Sequence, residues 1–143
     1  MPRPDISLPA SFHFTTEIPL RISDMNYSNH LGNDALLAVL QEARVQMLAS
    51  HGWGELDIAG KGIIMADCVV LFKTEGFYGD VVVVDIAVAD LESRSFTMLY
   101  RATNKKTGRE IARARTGMIF FDYQIRKSVT MPNEFLTAFS PKN

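Results

Sequence analysis

One segment of this chain repeats its apolar residues with the period of a helix, and most of the remainder repeats with the period of a strand. Leu36, Leu40, Ala43 and Met47 stand at i, i+4, i+7 and i+11, a single helical stripe. Leu37 and Leu48 widen it, so the spacing predicts a helix from Asp34 to about Ser50, apolar over more than half its circumference. Asn33 stands where an N-cap belongs, Asp34 suits the positive end of the helix dipole, and Gly52 and Gly54 end the segment.

Before the helix, Phe12, Phe14, Thr16, Ile18, Leu20 and Ile22 alternate with His13, Thr15, Glu17 and Arg21, the pattern of a half-buried strand. Pro19 has no N–H to give to a ladder, which places that strand at a sheet edge. After the polar stretch Ser23–Asn33 and the helix come four further strand-like segments: Ile63–Lys73, Val81–Ala89 behind a Gly79-Asp80 turn, Ser95–Thr103, and Arg109–Tyr123 behind the turn Asn104–Gly108. Glu134–Phe139 reads as one or two helical turns. One helix and five strands in 143 residues do not form separate layers unless the sheet curls round the helix. The expected architecture is therefore α+β, one long central helix wrapped by a curved antiparallel sheet of about five strands. The length fits one domain, with a leader over 1–11, the domain over 12–136 and a tail over 137–143.

Composition removes several classes of function. Fifteen basic and sixteen acidic residues give a net charge of −1, so no global excess of positive charge points to nucleic acid or to a membrane surface. The longest apolar run, Ala35–Leu40, is far short of the about 20 residues that span a bilayer. Met1–Ala10 carries Pro2, Pro4, Asp5 and Pro9 and no apolar core of a secretory signal. Cys68 is the single cysteine, which excludes an internal disulfide and suits a cytoplasmic location. His13, His30 and His51 lack metal-ligand spacing, so no metal site is expected. No nucleophile elbow, Walker loop or dinucleotide-binding turn is present.

With that order of elements in hand, the loop before the helix becomes readable. Arg21-Ile22-Ser23-Asp24-Met25-Asn26-Tyr27-Ser28-Asn29-His30-Leu31-Gly32-Asn33 resembles the signature of the 4-hydroxybenzoyl-CoA thioesterase-like branch of hot-dog proteins. Glu42-Ala43-Arg44, Gly79-Asp80, Ser95, Gly108-Arg109-Glu110-Ile111-Ala112, Phe121-Asp122, Lys127 and Pro132 continue the resemblance over about residues 12–136. It implies the hot-dog fold and hydrolysis of an acyl thioester of coenzyme A or of an acyl carrier protein. It also implies a homodimer or a dimer of dimers with active sites at subunit interfaces, and coenzyme A as part of the substrate rather than as a cofactor. Asn29 stands for the usual Gly, Gly32 for an Asn, and Asn26 for the usual catalytic Asp. An amide is neither a carboxylate nucleophile nor a general base. Either another group supplies the base, or Asn26 only positions water, or the protein does not hydrolyse.

Thioester hydrolysis needs a place for the carbonyl oxygen, an activated water and a slot for the acyl chain. The backbone N–H groups near Asn33 and Asp34 are free by the geometry of a helix start and suit the oxygen; the resemblance puts the donor at Asn33. His30, in the same loop, could orient water or hold the carbonyl. Asp24 suits fixing the loop through backbone hydrogen bonds, with a direct catalytic role as the alternative. Glu42 lies about 13 Å along the helix from Asn33; a carboxylate on an apolar helix suits either a general base or a structural ion pair, and the resemblance to another hot-dog branch, with a carboxylate at about this depth, implies use from the opposite subunit. Arg101, Arg113 and Arg115 belong to a window, Arg94–Arg115, with seven of the fifteen basic residues. That window is either a solvated sheet face or a patch for the phosphates of coenzyme A or an acidic carrier protein. Two other functions compete: a hot-dog module that binds acyl groups without turnover, motivated by Asn26, and an enoyl-CoA hydratase, whose Asp-any-Asn-Pro-any-His pattern Asp24-Met25-Asn26 approaches but does not complete.

Overall fold

The computed structural model describes residues 4–141. A six-stranded antiparallel sheet carries two helices. The strands are β1 (Phe14–Pro19), β2 (Gly62–Phe72), β3 (Val81–Ala89), β4 (Ser95–Asn104), β5 (Glu110–Asp122) and β6 (Lys127–Ser128). The helices are α1 (Asn33–Ala49) and α2 (Asn133–Phe139). The long strands run in the order β1-β3-β4-β5-β2, with short β6 beside β5. Among the described residues β1 pairs only with β3, from Phe14 opposite Ile86 to Pro19 opposite Val81. It is the edge strand that Pro19 demands. Leu20 is buried but Ile22 is exposed, because a tight 3-10 turn at Ile22–Asp24 ends the alternation before Ile22.

The inward face follows from the period of two. Val82, Val84, Ile86 and Val88 of β3, Phe96, Met98 and Tyr100 of β4, and Ala112, Ala114 and Phe120 of β5 join Leu36, Leu40, Ala43 and Met47 of α1 in one buried cluster. The stripe read from the sequence is thus the buried face. The remainder of α1 departs from expectation. Leu37 is 44% exposed and Val45 40% exposed, and Gln41 and Glu42 share their open side. The helix therefore buries one face within a single chain and is not enclosed all round. Its N-cap is Gly32, with no side-chain cap, and Asn33 is the first helical residue.

Both ends of the described residues pack against the sheet. Ile6 is buried, its carbonyl accepts a hydrogen bond from Arg113 Nη1 at 3.1 Å, and the Arg101 guanidinium lies 4.7 Å from the centre of the Phe12 ring. The leader is thus a strap packed on the sheet. At the other end Phe135 and Phe139 of α2 are core residues, so a boundary at residue 136 would cut through a docked helix. Positions 1–3 and 142–143 of the expected leader and tail lie outside the described residues.

His13 ties the strap to the sheet. Its backbone N–H donates to the Ile86 carbonyl at 2.9 Å and its Nδ1 accepts the Val88 N–H at 3.0 Å, so the ring stands in for a ladder acceptor. Burial lowers its pKa from the usual 6.5. The unfolded chain therefore takes up the proton first as pH falls, and stability from the neutral ring is present above pH 6.5 and lost below it. The melting temperature of the wild type should fall more steeply between pH 7.5 and 5.5 than that of His13→Gln; equal slopes would show that the ring does not couple to folding.

Candidate functional site

The loop before α1 is a miniature hairpin rather than a slack polar connection. Met25 and Leu31 form an isolated bridge, and the Asn26 N–H donates to the His30 carbonyl at 2.9 Å. The Asn26 side-chain oxygen accepts the Ser28 N–H at 2.9 Å, which closes an Asx turn. Asn29 takes φ 64°, the left-handed conformation that explains a Gly in the related signature and that Asn tolerates. Buried Asp24 anchors the base of the hairpin. Its carboxylate accepts the Arg21 N–H at 2.7 Å, and its carbonyl accepts the Gly32 N–H at 3.0 Å. Gly32 is close-packed: a β-carbon there would stand 2.8 Å from Asp34 Oδ1 and 3.6 Å from Asn26 Cβ.

Downstream, the segment after β2 folds back onto this loop. The Leu31 N–H donates to the Gly76 carbonyl at 2.7 Å. A β-carbon at Gly76 would meet Leu20 at 3.0 Å and Leu31 at 3.4 Å, so glycine permits the approach. The result is a cleft of about 190 Å³ between the start of α1 and the end of β2, walled by His30, Asn33, Leu36, Phe72, Glu75 and Ile111. The N–H groups of Asn33 and Asp34 have no hydrogen-bond partner among the described residues, as the first turn of a helix requires. His30 directs Nδ1 to the Leu31 carbonyl at 3.4 Å and Nε2 toward Glu75 Oε1 at 3.9 Å.

The structure does not gather all the residues expected to share a site. His30 and Asn33 line this cleft. Asp24 and Glu42 line a separate groove with Glu17, Arg21 and Gln46, between β1 and another face of α1. Asn26 lines neither, its oxygen being held within the loop. The physical reason is helical rotation. Nine residues separate Asn33 from Glu42, two and a half turns at about 3.6 residues per turn, which carries Glu42 to another side of α1. Glu75 and Phe72 carry no motif in the sequence; the pairing of Phe72 with Ala112 and the Leu31–Gly76 contact put them here.

The three arginines expected to bind phosphate each have an acid beside them. Arg101 reaches Asp85 through Nε and Nη2 at 3.2 and 3.1 Å. Arg113 grips Glu110 with two bonds of 2.8 Å and holds that carboxyl below its usual range. Arg115 lies 3.6 Å from Asp67. Each is thus paired within the sheet, while the side chains of Arg101 and Arg115 stay 37% and 41% exposed. Among the described residues no cluster of His, Cys, Asp or Glu is arranged to hold a metal, and no helix is long and apolar enough to cross a membrane.

The family model of the Thioesterase-like superfamily matches residues 20–139. No curated protein matches the chain. Among solved structures, Slr0204 of Synechocystis, a 1,4-dihydroxy-2-naphthoyl-CoA thioesterase, superposes with a TM-score of 0.80 at 20% identity over 87% of this chain and 93% of that one. PA2801 of Pseudomonas aeruginosa gives 0.82 at 20% identity over 90% and 98%. SAV2348 of Staphylococcus aureus, solved in complex with CoA, gives 0.79 at 17% identity over 92% and 85%. Identities this low carry the fold alone, but the family match runs from Leu20 through the loop, the cleft and α2. The chain belongs to the thioesterase-like superfamily, and its antiparallel sheet and helices form a hot-dog fold.

Proposed function

We propose that the protein hydrolyses an acyl thioester of coenzyme A or of an acyl carrier protein in the cleft at the start of α1. The observation that carries this is the pair of free N–H groups at Asn33 and Asp34, set at the positive end of a 17-residue helix whose first residue, Asn33, lines the cleft with Leu36, Phe72 and Ile111. The thioester oxygen accepts from those donors while its acyl chain lies against the wall. Negative charge then develops on the oxygen where dipole and donors are already oriented, and one such donor is worth about 3 to 4 kcal/mol in the transition state. His30, in the same wall, faces the attacking water. Purified protein should release free thiol from a panel of acyl-CoAs, read with a thiol-reactive dye; no release at any chain length overturns the reading. The amide at position 26 favours a second reading, an acyl-binding module without turnover, which tight acyl-CoA binding with no thiol release would establish.

The proposal extends to a second copy of the chain. β2 pairs with β5 on one side, and its other edge has no strand beside it among the described residues. Its central stretch Met65–Cys68 is exposed, as are Phe72 and, on α1, Leu37 and Val45. A long open edge flanked by apolar side chains is an aggregation hazard unless covered. Pairing β2 with β2 across a two-fold axis covers it and places a partner strand next to the cleft mouth at Phe72. Cys68 sits near the middle of β2, so a short thiol-to-thiol crosslinker should convert the protein to a covalent dimer. Leu37→Asp with Met65→Asp should abolish both the crosslink and the dimer seen by sedimentation. A wild-type protein that sediments as a monomer overturns this arrangement.

A further inference from the structure

We infer that Glu75 supplies the carboxylate that position 26 lacks, holding the attacking water and stabilising His30 as it takes the water proton; this rests on the thioesterase reading of the same cleft. A carbonyl oxygen only accepts, so the 3.4 Å contact of His30 Nδ1 with the Leu31 carbonyl is a hydrogen bond in the tautomer protonated at Nδ1, and we assign that tautomer here. In the neutral ring Nε2 then holds a lone pair, and Nε2 is the nitrogen that faces Glu75 Oε1 at 3.9 Å. Two acceptors at that distance do not bond each other. They fit one water that donates a proton to each over legs of about 2.8 Å, with its own lone pairs left to face a carbonyl carbon. Glu75 makes no other side-chain hydrogen bond or ion pair among the described residues, unlike Asp24, Glu55, Asp85 and Glu110, which hold arginines. It is also the one carboxylate in the wall of the cleft that holds His30 and Asn33, where Lys73 is the other charged group.

In the step this geometry allows, the water oxygen bonds to the thioester carbon. The carbonyl π pair moves to the oxygen held by the Asn33 and Asp34 N–H groups, and the water proton passes to His30 Nε2. Glu75, now beside an imidazolium, stabilises its charge. The tetrahedral intermediate collapses as the C–S bond breaks, and the thiolate takes the proton back from His30. The products are a carboxylic acid and a free thiol, so atoms and charge balance with water as the sole co-reactant.

The test compares wild type, Glu75→Gln, Glu75→Asp and His30→Gln in steady-state hydrolysis of the acyl-CoA that the wild type turns over fastest. Glu75→Gln and His30→Gln should each lower kcat about 10²-fold with KM little changed, as expected for lost general-base catalysis. Glu75→Asp should recover part of the rate. A fall in kcat at little-changed KM is what a merely structural role would not produce. Glu75 is exposed, so Glu75→Gln should melt with the wild type. Full activity in Glu75→Gln overturns the assignment while the thioesterase reading stands. A wild type inactive on every acyl-CoA overturns both.

Discussion

Arg44→Ala should lower stability by about 3 kcal/mol, the scale for removing one partner of a buried ion pair. In a domain of this size that is a fall of about 10 °C in melting temperature. Arg44 is 6% exposed and lies inside the cluster that α1 makes with the sheet. Its Nε donates to Glu55 Oε1 at 2.5 Å and its Nη1 to the Tyr100 hydroxyl at 3.1 Å; that hydroxyl also meets Thr116 Oγ1 at 2.9 Å. Burial works against the arginine's charge, but Tyr100 and Glu55 outweigh it, and its pKa stands above the usual value. Alanine would leave Glu55 without its partner and open a void beside Tyr100, which is 0% exposed. The Glu55 side chain is 28% exposed, so water recovers part of the cost, which holds the figure to the lower part of the range. Arg44→Met with Glu55→Leu should recover much of the loss, since no charge is then stranded. A single variant that melts within about 2 °C of wild type would mean that the network contributes little.

Phe135→Ala should cost about 3 to 5 kcal/mol, the range for deleting a buried aromatic side chain. Phe135 is 0% exposed, and its ring centre lies 4.5 Å from Phe96, 4.8 Å from Phe139, 5.1 Å from Phe120 and 5.9 Å from Trp53. α2 has seven residues, too few to persist alone in water, so this contact is what holds it. Trp53 is the single tryptophan, and its emission reads the same spot. Chemical denaturation should show the lower midpoint, and the folded variant should emit at longer wavelength as water reaches the indole. Phe135→Leu, which keeps most of the volume, should show a markedly smaller loss. Unchanged emission and midpoint in Phe135→Ala would mean that α2 is not latched by this residue.

The distinction between what was legible and what was not comes from range. Strands and the α1 stripe were readable because period two and period 3.6 are local. Pro19 told of a sheet edge because a missing N–H is a property of one residue. The Asn29 turn was consistent with the motif for the same reason. The rotation of Glu42 away from Asn33 is also local arithmetic, and it is what separates those two residues within one chain. Pairing of Arg101 with Asp85 and of Arg115 with Asp67 was not legible, because strand register brings together residues far apart in sequence.

By itself, then, the amino-acid order determined the five long strands but not the short β6, the stripe of α1 that is buried, and that a polar loop with Asn at position 26 precedes the helix. Tertiary structure alone decided that the segment after β2 returns to that loop. The Leu31–Gly76 hydrogen bond, 45 residues apart in the chain and 2.7 Å long, is what lays Glu75 beside His30. Side-chain chemistry is carried by each residue, but a reactive arrangement depends on distances that only the folded chain imposes.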